Sequence, residues 1–198
     1  IAGYAQRTAL FLRTRMRGRI LRNQLRDATG DIHARLDETV GHMPLSSDAD
    51  YGAFLRAQHR ARLAVEKALQ GQPPYGLATP PSQAKLLELD LDDLGIHPSS
   101  QIEDIAFGSP FEALGAVWVI AGSSMGNRTM LQQRRKKGQA GPQRFLEDSR
   151  LGVYFVELRA ILGEDHDHLR VAEAIAGATK TFEVFERAFT IERLGVAA

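Results

Sequence analysis

The sequence predicts a single all-helical domain. Apolar residues recur three and four positions apart through most of the chain, the period of one helix face. Clusters of glycine and proline punctuate these stretches, and no internal repeat or pair of alternating strand-like segments interrupts them. With 198 residues, 43% hydrophobic and 25% charged, the chain is long and apolar enough for one sizeable core.

The first 20 residues differ from the rest. Arg7, Arg13, Arg15, Arg17, Arg19 and Arg22 interleave with Leu10, Phe11, Leu12, Met16 and Ile20, and no acidic residue precedes Asp27. Residues 1–20 therefore read as a basic N-terminal extension, either a targeting or membrane-surface peptide or a disordered or artefactual tail. Residues 21–198 form the helical domain.

Helix one is expected from about Arg19 to Val40, ending near Gly41 and Pro44, with Thr29, Ile32, His33 and Leu36 on its inward stripe. Helix two is expected from about Tyr51 to Leu69, capped by Ser47 or Asp48. Its stripe is Tyr51, Phe54, Leu55, Gln58, Arg62, Val65 and Leu69. Gly71-Gln-Pro-Pro-Tyr-Gly76 and Thr79-Pro-Pro-Ser82 break the chain before a short helix, from about Ser82 to Asp92, that carries Leu86, Leu87 and Leu89. Residues 95–110 read mainly as loop. Pro110 opens a helix that is apolar nearly all round to Gly122 and continues to Leu131. The β-branched residues between Ala116 and Ile120 make a strand the competing reading there. Helix five spans about Pro142 to Leu162. Helix six runs from near Glu164 to about Arg193, with Val171, Ile175, Phe182, Phe185 and Phe189 inward.

Composition excludes several functions. The chain has no cysteine, which removes disulfides, thiolate metal sites and cysteine nucleophiles and fits a reducing cytoplasm. A net charge of +1 points to no particular partner, and one short basic cluster without a groove-reading motif argues against nucleic acid. No apolar run reaches the roughly 20 residues of a membrane span.

Two motifs carry chemistry. His33 places an imidazole on an apolar stripe, as a metal ligand or as a hydrogen-bonded core histidine. Gly122-Ser-Ser-Met-Gly126 puts two glycines on one face of a helix, each costing about 0.5–1 kcal/mol relative to alanine. They present bare main chain and favour a kink; close helix–helix packing is the alternative use. Together, a histidine helix and a glycine-opened helix suit the two walls of a slot for a planar cofactor. One neutral histidine ligating the iron leaves its sixth position free for a small gas.

These residues resemble the bacterial-type haem oxygenases, including those that accompany bacteriophytochromes. The resemblance rests on Leu25-Arg26-Asp-Ala28-Thr29 with His33 and Asp37, on Tyr51, Phe54, Leu55, Val65 and Glu66, and on Leu114-Gly115-Ala116 through Gly122-Ser123-Ser-Met-Gly126. Arg144-Phe145-Leu146 and the stretch from Ala178 to Phe185 follow, so it covers about Leu25 to Arg193. It implies a single-domain haem-oxygenase-like bundle with a kinked distal helix. It also implies haem b as both prosthetic group and substrate, converted with O2 and external reducing equivalents to biliverdin, carbon monoxide and ferrous iron. His33 is the implied iron ligand. Gly122 and Gly126 line the distal face beside Ser123 and Asn127, and an ordered water chain delivers protons. Arg26, Thr29 and Met125 complete the implied haem contacts. The implied partners are a ferredoxin, flavodoxin or reductase as donor and a bacteriophytochrome receiving biliverdin, in the cytoplasm. Ser123 stands where mammalian members carry aspartate, Ala121 where bacterial members commonly carry glutamate, and Asn127 where a small residue is usual. A strong distal acid or arginine would favour peroxidase chemistry; the distal segment shows neither. The alternative is a non-catalytic haem-binding or regulatory protein on the same fold. A thiaminase-like relative would need a cysteine.

The remaining candidates have plainer readings. His59, flanked by Arg56, Arg60 and Arg62, reads as a surface or boundary residue. Glu164-Asp-His166-Asp-His168 reads as an acidic first turn complementing a helix dipole rather than a metal cluster. Arg134-Arg135-Lys136-Lys137 reads as a solvated face, or as a cation set for haem propionates or an acidic electron donor, with Arg134 and Arg135 the better propionate candidates.

Overall fold

A computed structural model describes residues 20–196 except 42, 44 and 46; the side chains of 194–196 and the expected basic extension over 1–19 lie outside the described residues. Every extended element described is a helix: α1 (Leu21–Gly41), α2 (Asp48–Gly71), α3 (Ala84–Asp93), α4 (Pro110–Gly122), α5 (Ser124–Lys136), α6 (Arg144–Glu147), α7 (Arg150–Leu162) and α8 (His168–Val196). Among the described residues the one extended pairing is an isolated bridge between Ile20 and Asp165.

Local chemistry sets the ends. Ser47 caps α2 by accepting from the Asp50 N–H at 3.1 Å, as the sequence predicts. Ser109 caps α4 in the same way at Glu112, and Pro110 fills the first turn, where its missing N–H costs nothing. The Glu112 carboxylate in turn accepts from the Gly108 N–H at 3.1 Å. α3 and α5 each stop at a left-handed glycine, Gly95 and Gly138, followed by an N–H that reaches back to Leu91 and Arg134 respectively.

α8 is the spine. α1, α2 and α4 all pack on it. The α4–α8 crossing is backbone on backbone: a Cβ at Gly115 would fall on the carbonyl of Ala174, and one at Gly177 on the carbonyl of Glu112. Only hydrogen fits at either position. α1 and α4 each pack on α8.

Two sequence expectations change. The segment over 142–162 splits into α6 and α7, because Asp148 is extended and its carboxylate accepts from the Arg150 N–H at 3.2 Å. Leu89 faces outward, while Asp90 of α3 is fully buried: its carboxylate accepts from the main-chain N–H groups of Arg144 and Phe145 and pairs with the Arg144 guanidinium at 3.2 Å. Residues 116–120 are helical, the preferred reading of the sequence, and the competing strand falls away. Otherwise the predicted stripe of α2 is buried from Tyr51 to Leu69, and Val171, Phe182, Phe185 and Phe189 of α8 are buried, with Ile175 half-buried against the core. Among the described residues no helix is long and apolar enough to cross a membrane.

Candidate functional site

The long distal segment is helical on both sides of Ser123 and bends there. The Ser123 hydroxyl donates to the Ile120 carbonyl at 2.8 Å, a back-bond that draws a helix off its axis. A Cβ added at Gly122 or Gly126 would meet nothing within 4 Å. Neither glycine is therefore there for helix packing; both open bare main chain onto space. Met125 projects beside them, largely exposed.

On α1 the stripe divides. Thr29 and Ile32 are buried and Leu36 is half-buried, but the His33 side chain is 58% exposed. The sequence expectation of an inward His33 is corrected: it stands one step around the helix from Ile32, at the edge of the buried face. Its ring leans on Phe182 of α8, centroids 5.4 Å apart, and Phe182 meets Trp118 of α4 edge-on at 6.3 Å. Trp118 lies one turn before Gly122. His33 and the glycine face thus flank the same aromatic pair. His33 Nε2 lies 3.5 Å from Asp37 one turn on. The Thr29 hydroxyl donates to the Leu25 carbonyl at 2.8 Å.

The residue that sequence reasoning passed over is Arg62 of α2. It is 1% exposed, its side chain running under the faces of Phe145 and Phe185 to the bend. Its Nη2 donates to Ser123 Oγ at 2.6 Å and its Nε to Gln58 at 3.3 Å. Nη1 has no partner among the described residues, and neither has the amide nitrogen of Asn127, which is 6% exposed one turn beyond Ser123. Burial lowers the Arg62 pKa to about 10, so the group remains a cation at neutral pH. The segment's own Arg128 is exposed and its guanidinium lies beside Gly152 of α7, while the fold brings Arg62 to Ser123 from another helix. The signal was present: Arg62 occupies an apolar stripe position, where an unpaired charge is costly.

The basic run splits. Arg134 is buried, stacked on the Tyr51 ring at 3.6 Å and donating to the carbonyls of Leu45 and Ala140. Arg135 is exposed and pairs with Glu147 at 2.6 Å. Arg26 is exposed beside Asp27.

Two histidine readings resolve. His59 is buried, not a boundary residue: Arg56 and Arg60 turn to Glu192 of α8, and His59 Nε2 lies 3.4 Å from Glu88. His166 is packed against Phe111, and Asp167 caps the start of α8 by accepting from the Leu169 and Arg170 N–H groups. The 164–168 run leads into α8, which begins at His168 with no acidic residue in its first turn, so the expected acidic first turn lies just before the helix.

Among solved structures, the chain is similar to the NO- and CO-bound heme oxygenase from Neisseria meningitidis, with a TM-score of 0.66 and 19% identity over 87% of this chain and 92% of that one. This likeness shows a shared all-helical fold. Neither a family model nor a curated protein matches the sequence.

Proposed function

We propose, from the shared fold, the exposed His33 of α1 and the bare glycine face at the α4–α5 bend, that this chain is a haem oxygenase. It takes haem b as prosthetic group and substrate and, with O2 and an external electron donor, yields biliverdin, carbon monoxide and ferrous iron. The observation that carries the reading is the pairing, across Phe182 and Trp118, of an exposed imidazole with main chain that nothing covers.

The residues suit a flat iron porphyrin. The His33 imidazole is exposed and held only by the exposed Asp37 carboxylate 3.5 Å from its Nε2 and by the Phe182 ring, contacts that iron ligation can replace. Gly122 and Gly126 let a ring approach the main chain more closely than any side chain would permit, which is positional control of the reacting edge. Phe182 and Trp118 supply apolar walls that exclude water. Haem, when bound, supplies both the iron at which oxygen is reduced and the carbon that is oxidised.

The distal polar groups hold protons in definite places. The Ser123 hydroxyl donates a hydrogen bond to the Ile120 carbonyl and accepts one from Arg62, so the buried donors left without a partner near the bend are Arg62 Nη1 and the Asn127 amide. Arg26 and Arg135 stay available for propionates, since exposed ion pairs such as theirs are worth about 0–1 kcal/mol and exchange readily. Arg134 is committed to Tyr51 and two carbonyls, so the same reading gives it the support of Arg135's helix. Thr29 and Met125 border the two walls. A ferredoxin, flavodoxin or reductase as donor, a bacteriophytochrome as acceptor of biliverdin and a cytoplasmic setting belong to the same proposal.

The test is reconstitution with haemin followed by ascorbate or a ferredoxin system in air. Loss of the Soret band with growth of a broad red absorption is the expected result. A ferrous or oxygenated spectrum that persists would instead make the protein a haem binder without turnover.

A further inference from the structure

Charge is unevenly spread along this chain. Between Ser124 and Leu162 it carries eight lysines and arginines against three acidic residues, an excess of five in a protein whose net charge is +1. Some of these cations are committed. Arg134 is stacked on Tyr51, Arg144 pairs with Asp90 and Asp93, Arg135 with Glu147 and Arg150 with Asp148. Among the described residues no carboxylate pairs with Arg128 of α5 or Arg159 of α7, both exposed.

The same two helices expose apolar side chains. Val153 and Val156 of α7 are 69% and 68% exposed, on the side away from the helix's buried leucines. The core has no use for valines there. α5 joins this surface at Gly152, where an added Cβ would lie 3.0 Å from Arg128 Nη2. Arg159 stands two turns from Gly152 on the same side of α7, and Glu157 edges the other side. Met125, 72% exposed, comes one turn before Arg128 and borders the bare glycine face. Exposed surface thus leads from that face through Met125 and Arg128 to the two valines. An apolar centre with a basic rim is the make-up of a protein-docking surface.

We propose that this surface docks an acidic electron-transfer protein, the external donor of the haem reading above, on which the proposal rests. Each encounter passes one electron: the docked protein is oxidised and ferric haem is reduced. The positive rim steers an acidic partner, and the small apolar centre suits the brief contacts of electron carriers, whose interfaces are small. Valines with no aromatic or leucine beside them, and Glu157 at the edge, fit a protein better than an anionic membrane.

The experiment measures binding of an acidic [2Fe–2S] ferredoxin to the full chain, with and without haemin, at low and at physiological ionic strength. Arg128→Glu should weaken binding about tenfold at low salt, and Val156→Ser about threefold. Both side chains are exposed, so neither change should unfold the chain. Arg193→Glu, an equal charge change on α8, should stay within about twofold of the parent. Added salt should weaken the parent more than it weakens Arg128→Glu. With haemin bound, turnover supported by ferredoxin should fall with its binding, while turnover supported by ascorbate stays within about twofold. A ferredoxin that does not bind, or that binds Arg128→Glu and Val156→Ser as tightly as the parent, overturns the docking surface and leaves the haem reading intact. Binding to phosphatidylglycerol vesicles that these variants abolish, with ferredoxin unaffected, overturns it too and assigns the surface to a membrane. A chain that takes up no haemin overturns the haem reading and this proposal with it.

Discussion

His33 and Arg62 show how burial and role part company. The histidine expected in the core stands in solvent, and the arginine of an apolar stripe is buried at the bend. This makes His33 a clean probe. An exposed side chain replaced by alanine changes stability by less than about 0.5 kcal/mol. His33→Ala should therefore leave the thermal midpoint in place while abolishing the histidine-ligated Soret spectrum and weakening haemin at least about tenfold. A variant whose ligation state matches the parent would remove His33 from the site. The residue type and spacing of His33 are legible in the sequence. Its exposure is not, because a helical stripe gives the direction of a side chain to about one residue step, and the edge of the buried face falls between Ile32 and His33.

At the scale of elements, glycines that look alike in the sequence separate into two classes. Gly115 and Gly177 sit where α4 and α8 touch through their backbones, whereas Gly122 and Gly126 face open space. Gly115→Ala should destabilise by about 1–3 kcal/mol or more through overpacking, measured by urea unfolding. Gly126→Ala should do the reverse, stabilising α5 by about 0.5–1 kcal/mol, because alanine is the better helix former and its methyl meets nothing. The same methyl would project into the proposed haem site, so haemin affinity and turnover should fall as stability rises. A Gly126→Ala protein that is more stable and equally active would place the substrate elsewhere. The bend between α4 and α5 was foreseeable from the glycine and serine pairs. The split between α6 and α7 was not, since it depends on Asp148 turning its carboxylate to Arg150 and Gln83.

Over the whole molecule, carboxylates tie distant segments together, and that fixes the direction of acid sensitivity. Burial pushes the Asp148 pKa upward, but the hydrogen bonds from Arg150 and Gln83 win and hold it below the usual value. Glu112 behaves likewise: burial is outweighed by Lys180 and the Gly108 N–H. For both groups the folded pKa lies below the unfolded one, so the unfolded chain binds more protons in the acid range. Their contribution is present above the unfolded values, near pH 4 to 5, and is lost as pH falls through the folded values. Unfolding midpoints should hold from about pH 7 to 5 and drop below, and Asp148→Asn should flatten that drop; a midpoint that rises on acidification would reverse the assignment. The sequence by itself determined the helical class, the order of the long helices, the start of α2 at Ser47 or Asp48 and the pair of glycines on one face, because periodicity, caps and turns are local. Only the tertiary structure decided that His33 is exposed, that His59 is buried beside Glu88 and that Arg62 reaches Ser123 sixty-one positions away. Those outcomes depend on which helices α8 gathers around itself, a long-range choice made by packing that no local pattern records.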